Sequence, residues 1–178
     1  SAAARSARRS ACGGRHARAR GAAALAELAG YGHSVDAVHL SRPDVQGQLR
    51  AMRAALADAR LAPDHVAYVN AHGTATEVGD AVEAMALAEL FGQRAVPVSA
   101  TKALHGHLIG AGGALELVAC VQALRRGRAP ANAHLRQSQM EHQLDLIRDT
   151  PRPLRPGALM SNSFAFGGSN VSLLIQAP

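Results

Sequence analysis

The sequence predicts an α/β layered fold, a mixed sheet flanked by helices, and three observations carry that expectation. Short alternating runs take turns with stretches of helical periodicity in an αβαβα order. Three of the strand-like runs lead into loops rich in polar side chains and glycine. Of the 178 residues, 48% are hydrophobic, enough to bury one substantial core and bounding the chain to a single domain. No internal repeat is visible.

In chain order, residues 17–30 have helical composition and stop at Gly30. Ser34-Val-Asp-Ala-Val-His-Leu40 alternates as a strand does and is closed by Ser41-Arg42-Pro43. After Asp44, the residues Leu49, Met52, Leu56 and Ala59 recur at helical spacing with polar residues opposite, an amphipathic helix from about 45 to 60. His65-Val-Ala-Tyr-Val69 is a short strand, followed by the loop Asn70–Thr76 and a helix from about Asp80 to Leu90. Val96-Pro-Val-Ser99 is the next strand. Gly110 to Leu124 is apolar on nearly all sides, which predicts a buried central helix. Residues 127–156 read as irregular connection with short extended pieces. Two strands close the chain, Ala158–Ser161 and Asn170–Gln176.

Charge is unevenly spread. Residues 1–26 hold six arginines and no acid, while the remaining segment has 13 basic and 13 acidic residues. The net charge of +6 therefore describes a tail rather than a domain. With no aromatics interleaved to stack bases, the tail is a poor nucleic-acid surface. Its Arg-, Ala- and Ser-rich make-up resembles a transit peptide. The preferred reading of residues 1–15 is a disordered extension or a non-native start, leaving 16–178 as the domain. No run is long enough to span a bilayer. Two cysteines, Cys12 and Cys120, make no disulfide framework or metal-site spacing, which fits a reducing, cytoplasmic setting.

Three loops could carry chemistry, each at the carboxyl end of a strand, where sites in α/β sheets collect. The first, Asn70-Ala-His-Gly-Thr-Ala-Thr76, offers His72 as proton carrier or hydrogen-bond donor beside the hydroxyls of Thr74 and Thr76. A capping turn for the next helix would use the same residues. The second holds Lys102, the only lysine among nineteen lysines and arginines. Glu116, the lone charge between Leu108 and Leu124, is costly in so apolar a run unless paired, and Lys102 is the candidate partner. His107 between them could donate to a developing oxyanion, or the set could be a structural ion pair beside a histidine leading into a helix. His105 makes a local His-x-His, but no Cys or carboxylate ligand stands at metal-site spacing, so no metal is expected. The third loop, Asn162-Ser-Phe-Ala-Phe-Gly-Gly-Ser-Asn170, is either a hairpin turn or a loop whose backbone N–H groups face a substrate oxygen, with Phe164 and Phe166 as apolar gates.

Together these strings resemble the β-ketoacyl-acyl carrier protein (ACP) synthases, the decarboxylating condensing enzymes of fatty acid and polyketide synthesis. The matches are Val69–Thr76 with Gly79-Asp80, Ser99–Glu116 and Asn162–Asn170, in order and at fitting separations. Similarity runs from about residue 16 to the C-terminus and is nearest the type II elongating synthases. The resemblance implies the C-terminal repeat of a thiolase-like fold and a Cys-His-His site. It implies His72 and His107 as catalytic histidines, with Lys102 and Glu116 as their supporting pair. Thr74 and Thr76 match hydroxyls that hold a phosphopantetheine arm. Phe166 matches a gating residue whose N–H helps form an oxyanion hole, with Gly167 and Gly168 completing that substrate-binding turn. The substrates would ride on ACP, with no bound cofactor, and the full-length family would be a homodimer.

The family nucleophile should lie far upstream, on a strand-to-helix turn. Cys12 sits only sixty residues before His72 in an arginine-rich stretch, and Cys120 lies within an apolar helix, where packing suits it. The expectation is thus a C-terminal half without the nucleophile-bearing half, inactive in condensation alone. Malonyl-ACP decarboxylation without condensation, and a non-catalytic partner resembling a chain-length factor or a split subunit, stay open beside it. A degradative thiolase is disfavoured, because no cysteine follows Cys120.

Overall fold

The computed structural model describes residues 14–178; the tail reading for residues 1–15 falls almost wholly outside them, and Cys12 with it. The described elements are α1 (Gly14–Ala19), β1 (Glu27–Val35), α2 (Val45–Ala59), β2 (Val66–Asn70), α3 (Glu77–Phe91), β3 (Pro97–Ser99) and α4 (Lys102–His105). They continue with α5 (Gly112–Arg126), β4 (Arg128–Ala129), β5 (Asp145–Leu146), β6 (Arg152–Pro153), β7 (Ala158–Ala165) and β8 (Ser169–Gln176).

Six strands form a mixed sheet in the order β1-β8-β7-β2-β3-β5. The β1–β8 and β8–β7 pairs are antiparallel, and the β7–β2, β2–β3 and β3–β5 pairs are parallel. Strands β4 and β6 pair separately, giving short extended pieces within 127–156. On one face, α2 and α3 bury Leu49, Met52 and Leu87 against Val69, Met160 and Leu174. On the other, α5 packs Cys120 and Ala123 with Tyr68, Leu159 and Ile175. Every residue of β2 is buried, as expected of a strand covered on both faces. Among the described residues no helix is long and apolar enough to cross a membrane.

Helix α2 follows from its sequence. Asp44 accepts the Gly47 N–H at 2.9 Å as N-cap, and Leu49, Met52 and Leu56 turn inward. Each such side chain, fully buried, contributes roughly 1.5–3 kcal/mol. Three expectations need correction.

Residues 17–30 are not one helix: α1 ends at Ala19 and β1 begins at Glu27. Local Ala/Leu composition is overridden by packing, because α2 crosses β1 so closely that only glycine fits beneath it. A Cβ at Gly30 would lie 2.3 Å from the Ala55 carbonyl oxygen, and one at Gly32 would lie 1.9 Å from that of Ala51. The strand expected over 34–40 stops at Val35, because the next residue, Asp36, turns its carboxylate inward to the Asp44 N–H (3.1 Å) and the Asn170 amide (2.6 Å). Helix α5 is not buried all round. Gly112, Glu116, Cys120 and Ala123 form its one buried stripe, and Val118 stands exposed. The described residues supply no element to cover its other face.

Candidate active site

Strand β2 delivers the first loop. Its last residues pair with β3, and the Ala71 N–H continues the ladder to the Ser99 carbonyl at 2.9 Å. The chain then turns through His72 and Gly73 into α3, which starts at Glu77. The turn is gripped from α3. Glu83, 4% exposed, accepts the His72 N–H at Oε1 (2.9 Å) and the Gly73 N–H at Oε2 (3.0 Å). The Asn162 amide approaches the same Oε1 at 3.4 Å. Burial pushes the Glu83 carboxyl up to about 7, against the pull of those donors. Burial also raises Asp80, one turn earlier, while the Thr74, Ala75 and Thr76 N–H groups draw it back. The Thr74 and Thr76 hydroxyls lie 3.1 Å apart, Thr74 half-buried and Thr76 exposed.

The second loop brings Lys102 to the same place. As the first residue of α4 it is 8% exposed, and its ammonium donates to the Glu116 carboxylate, itself 1% exposed, from one turn into α5. It also donates to the His72 carbonyl oxygen and to His72 Nδ1 at 3.3 Å. Three divergent hydrogens on one nitrogen meet three acceptors, a geometry that suits an ammonium and not a planar guanidinium.

His107 faces His72 with ring centroids 5.5 Å apart and planes at 84°. Its Nδ1 accepts the Ile109 N–H at 3.3 Å. Lys102 can only donate, so His72 Nδ1 is an acceptor too, and in each neutral ring the proton sits on Nε2. Burial first, then the Lys102 charge and His107, lower His72 to about 3, so its ring is neutral at physiological pH. The arrangement sets two ring N–H donors side by side, suited to an oxygen on which negative charge develops.

The third loop closes the site. Phe164, buried at the end of β7, packs its ring against His72 with centroids 6.1 Å apart. Phe166 is 82% exposed at the tip of the β7–β8 turn. The Gly167 N–H is occupied by the Leu40 carbonyl at 2.7 Å. Gly168 has φ +72, and a Cβ there would lie 2.6 Å from that of Asp36, so no other residue fits. The turn is tied down by Asp36, whose N–H donates to the Gly168 carbonyl at 2.9 Å.

The structure thus brings together His72, Lys102, His107, Glu116 and Phe164, with Thr74 and Thr76 in the same loop as His72, and leaves Phe166 at a free tip. Sequence reasoning missed the residues that hold these loops. Glu83 is one of four acids on α3, with Glu77, Asp80 and Glu89, so nothing in the sequence set it apart as the one that turns inward. Asp36 stood in phase with the alternation of Ser34-Val35-Asp36-Ala37 and so gave no sign of its inward turn. Asn132 accepts the Ala100 N–H at 2.8 Å and donates to the Val98 and Ile147 carbonyls, fixing the approach to Lys102, and nothing in its surroundings announced it. Burial pushes the Cys120 thiol up to about 12. The ring nitrogens of His105 are engaged by Thr101 and the Gly106 carbonyl. Among the described residues no three His, Cys, Asp or Glu side chains converge as a metal ion requires.

Comparison with known proteins sets this geometry in context. The profile of the family described as "Beta-ketoacyl synthase, C-terminal domain" matches residues 25–136. Nodulation protein E of Rhizobium leguminosarum bv. trifolii is 47% identical over 163 residues, which cover 90% of this chain and 40% of that protein. The 3-oxoacyl-(acyl-carrier-protein) synthase 2 of Coxiella burnetii is 42% identical over 165 residues, again 90% of this chain and 40% of the relative. Among solved structures, the ishigamide ketosynthase/chain length factor superposes with a TM-score of 0.87 at 33% identity, covering 92% of this chain and 41% of that one. The chain therefore spans about 40% of the length of the curated relatives it matches.

Proposed function

The chain belongs to the β-ketoacyl synthase family, with the α/β thiolase-like fold of its C-terminal domain, and from that premise we propose that it carries the two-histidine half of a decarboxylative condensing site. One observation carries the reading: His72 and His107 lie edge to face at 5.5 Å with both Nδ1 atoms already accepting. Each ring therefore has an Nε2–H to offer one shared oxygen.

The substrate in this reading is a malonyl thioester on the phosphopantetheine of an acyl carrier protein, its arm held by the Thr74 and Thr76 hydroxyls. The bond between C2 and the carboxylate carbon breaks and CO₂ leaves. The electron pair passes into the thioester as an enolate, whose oxygen accepts both Nε2–H groups. Because His72 is neutral down to about pH 3, its Nε2 proton is donated as a hydrogen bond and stays on the ring. The enolate carbon then attacks an acyl thioester held on a cysteine, the new carbon–carbon bond forms and the thiolate leaves. Phe166 gates the acyl side, its N–H turned to the acyl oxygen, with Gly167 and Gly168 shaping the turn and Phe164 buttressing His72. Cys120 is unsuited to hold the acyl group, being buried with its thiol pushed up to about 12. The nucleophile belongs, in this reading, to a further part of the whole enzyme, beyond the share of the relatives that this chain matches.

The test is CO₂ release from malonyl-ACP by this chain assembled with a nucleophile-bearing half. His72→Ala and His107→Ala should each lower the rate by about 10²–10³-fold, and a rate unchanged in either variant sinks the proposal. The ishigamide relative, described as a ketosynthase/chain length factor, motivates a second reading as a non-catalytic partner. That reading requires both variants to keep full activity when paired with an intact ketosynthase.

A further inference from the structure

His105 and His107 stand together as His-x-His, and the condensing site proposed above uses only His107. His105 is half-buried at the end of α4, and both of its ring nitrogens are spent inside the loop. Its Nδ1 lies 2.8 Å from the Gly106 carbonyl oxygen, and its Nε2 lies 3.0 Å from the Thr101 hydroxyl. A carbonyl can only accept, so in the neutral ring the proton sits on Nδ1 and the Thr101 hydroxyl donates to the bare Nε2. This is the opposite tautomer to that of His72 and His107. From this geometry we propose that His105 is a positioning residue for His107, its imidazole bridging the buried Thr101 to the peptide that leads into His107. The catalytic consequence rests on the function proposed above; the placement itself does not.

The need for such a bridge lies in Gly106. It has φ +77 and ψ 173, a conformation open to glycine and strained for other residues. A Cβ there would meet nothing within 4 Å beyond its chain neighbours, so no packing fixes the torsion that aims the chain into His107. Among the described residues, the other hydrogen bonds of 106–109 are local. The Gly106 N–H reaches the Lys102 carbonyl at 2.7 Å, the Ile109 N–H reaches His107 Nδ1, and the Ala111 N–H reaches the Leu108 carbonyl at 3.0 Å. The His105 ring grips the Gly106 carbonyl itself, and with it the plane of the Gly106–His107 peptide. Its other end is anchored deeply, because Thr101 is 3% exposed. Thr101 stands at the N-cap of α4, yet its side chain caps no backbone N–H. The hydroxyl that would ordinarily cap the helix is turned to His105 instead.

Long-range 1H–15N spectra of the imidazole rings test the placement, recorded on the full chain at about pH 8.5, roughly two units above the ordinary histidine pKa. His105 should carry its proton on Nδ1, while His72 and His107 carry theirs on Nε2. Cross-relaxation between the ring protons of His72 and His107 should weaken in His105→Leu. It should return in His105→Asn, whose amide stands where Nδ1 does and can donate to the Gly106 carbonyl. It should stay weak in His105→Gln, whose amide stands where Nε2 does. A proton on His105 Nε2, a cross-peak unchanged in His105→Leu, or rescue by Gln in place of Asn overturns the proposal. Should the leucine variant not fold, the tautomer of the parent and the difference between Asn and Gln still decide. In the assembled enzyme, His105→Leu and His105→Gln should lower kcat for malonyl-ACP decarboxylation by about 10–10²-fold with KM little changed, and His105→Asn should recover most of that loss. A parent that never decarboxylates defeats the functional reading and leaves the ring spectra standing; a leucine variant that keeps the parent's kcat defeats the positioning role.

Discussion

His72 and His107 face each other across 5.5 Å, yet the chain builds them in opposite ways. His72 is set between Glu83, Lys102 and Phe164, with its backbone N–H, carbonyl and Nδ1 all engaged. His107 is exposed, and its Nδ1 accepts the Ile109 N–H at 3.3 Å. Around it Leu104, Leu108 and Ile109 stand in solvent, as does the neighbouring turn residue Phe166. One histidine is fixed by what this domain contains. The other sits on a segment whose apolar side chains the described residues leave uncovered, and such surface marks places where a further surface is expected to pack.

The harshest way to break the contrast is to attack the network behind His72. Glu116→Ala leaves the buried Lys102 ammonium without its carboxylate and should cost about 3–5 kcal/mol in urea unfolding. A loss below about 1 kcal/mol would mean that the pair does not hold the gripped side.

Next in size is a pair of opposed pH effects. His72 has its folded pKa lowered from 6.5 to about 3, so its contribution to stability is full above about 6.5 and is lost as pH falls toward 3. Glu83 has its folded pKa raised from 4.5 to about 7, so its contribution is present below about 4.5 and is lost as pH rises through 7. Each amounts to something on the order of 3–5 kcal/mol across its window. Subtracting the unfolding free energy of Glu83→Gln or His72→Asn from that of the parent at each pH isolates one slope. Two slopes of the same sign would mean that the acid is favoured as its carboxylate, whereas opposed slopes mark a base and an acid both buried in their neutral forms.

The smallest effect belongs to the loose side. Ile109→Ser and His107→Ala should each change stability by no more than about 0.5 kcal/mol, measured by the same unfolding curves. Ile109→Ser should in addition reduce self-association in gel filtration, because it shortens an exposed apolar patch. A large loss of stability in either variant would show that the His107 segment is as firmly built as its counterpart.

The same contrast explains what was legible in the sequence. Helix α2 was readable because Asp44 caps it and its apolar residues repeat at helical spacing. Strands β2, β3 and β8 and the residues His72, Lys102, His107 and Glu116 stood out through local strings. Strand β1 was hidden because its reason lies elsewhere: Gly30 and Gly32 answer to the carbonyls of Ala55 and Ala51, which belong to a different element, α2. Glu83, Asp36 and Asn132 were hidden for the same reason, each accepting backbone N–H groups that no periodicity connects to it. The exposed face of α5 was misjudged from composition, which reports that a surface is apolar and is silent about what meets it.

Lys102 has a practical consequence of another kind. It bears the only side-chain primary amine in the sequence, and the folded chain keeps that amine inside an ion pair at 8% exposure. An amine-selective acylating reagent meets it only when the pocket opens, and acylation removes the charge that would let it close again. The chain thus carries its own chemical clock: the rate at which a mass adduct of that reagent accumulates at Lys102 counts the openings of the site, with no residue changed.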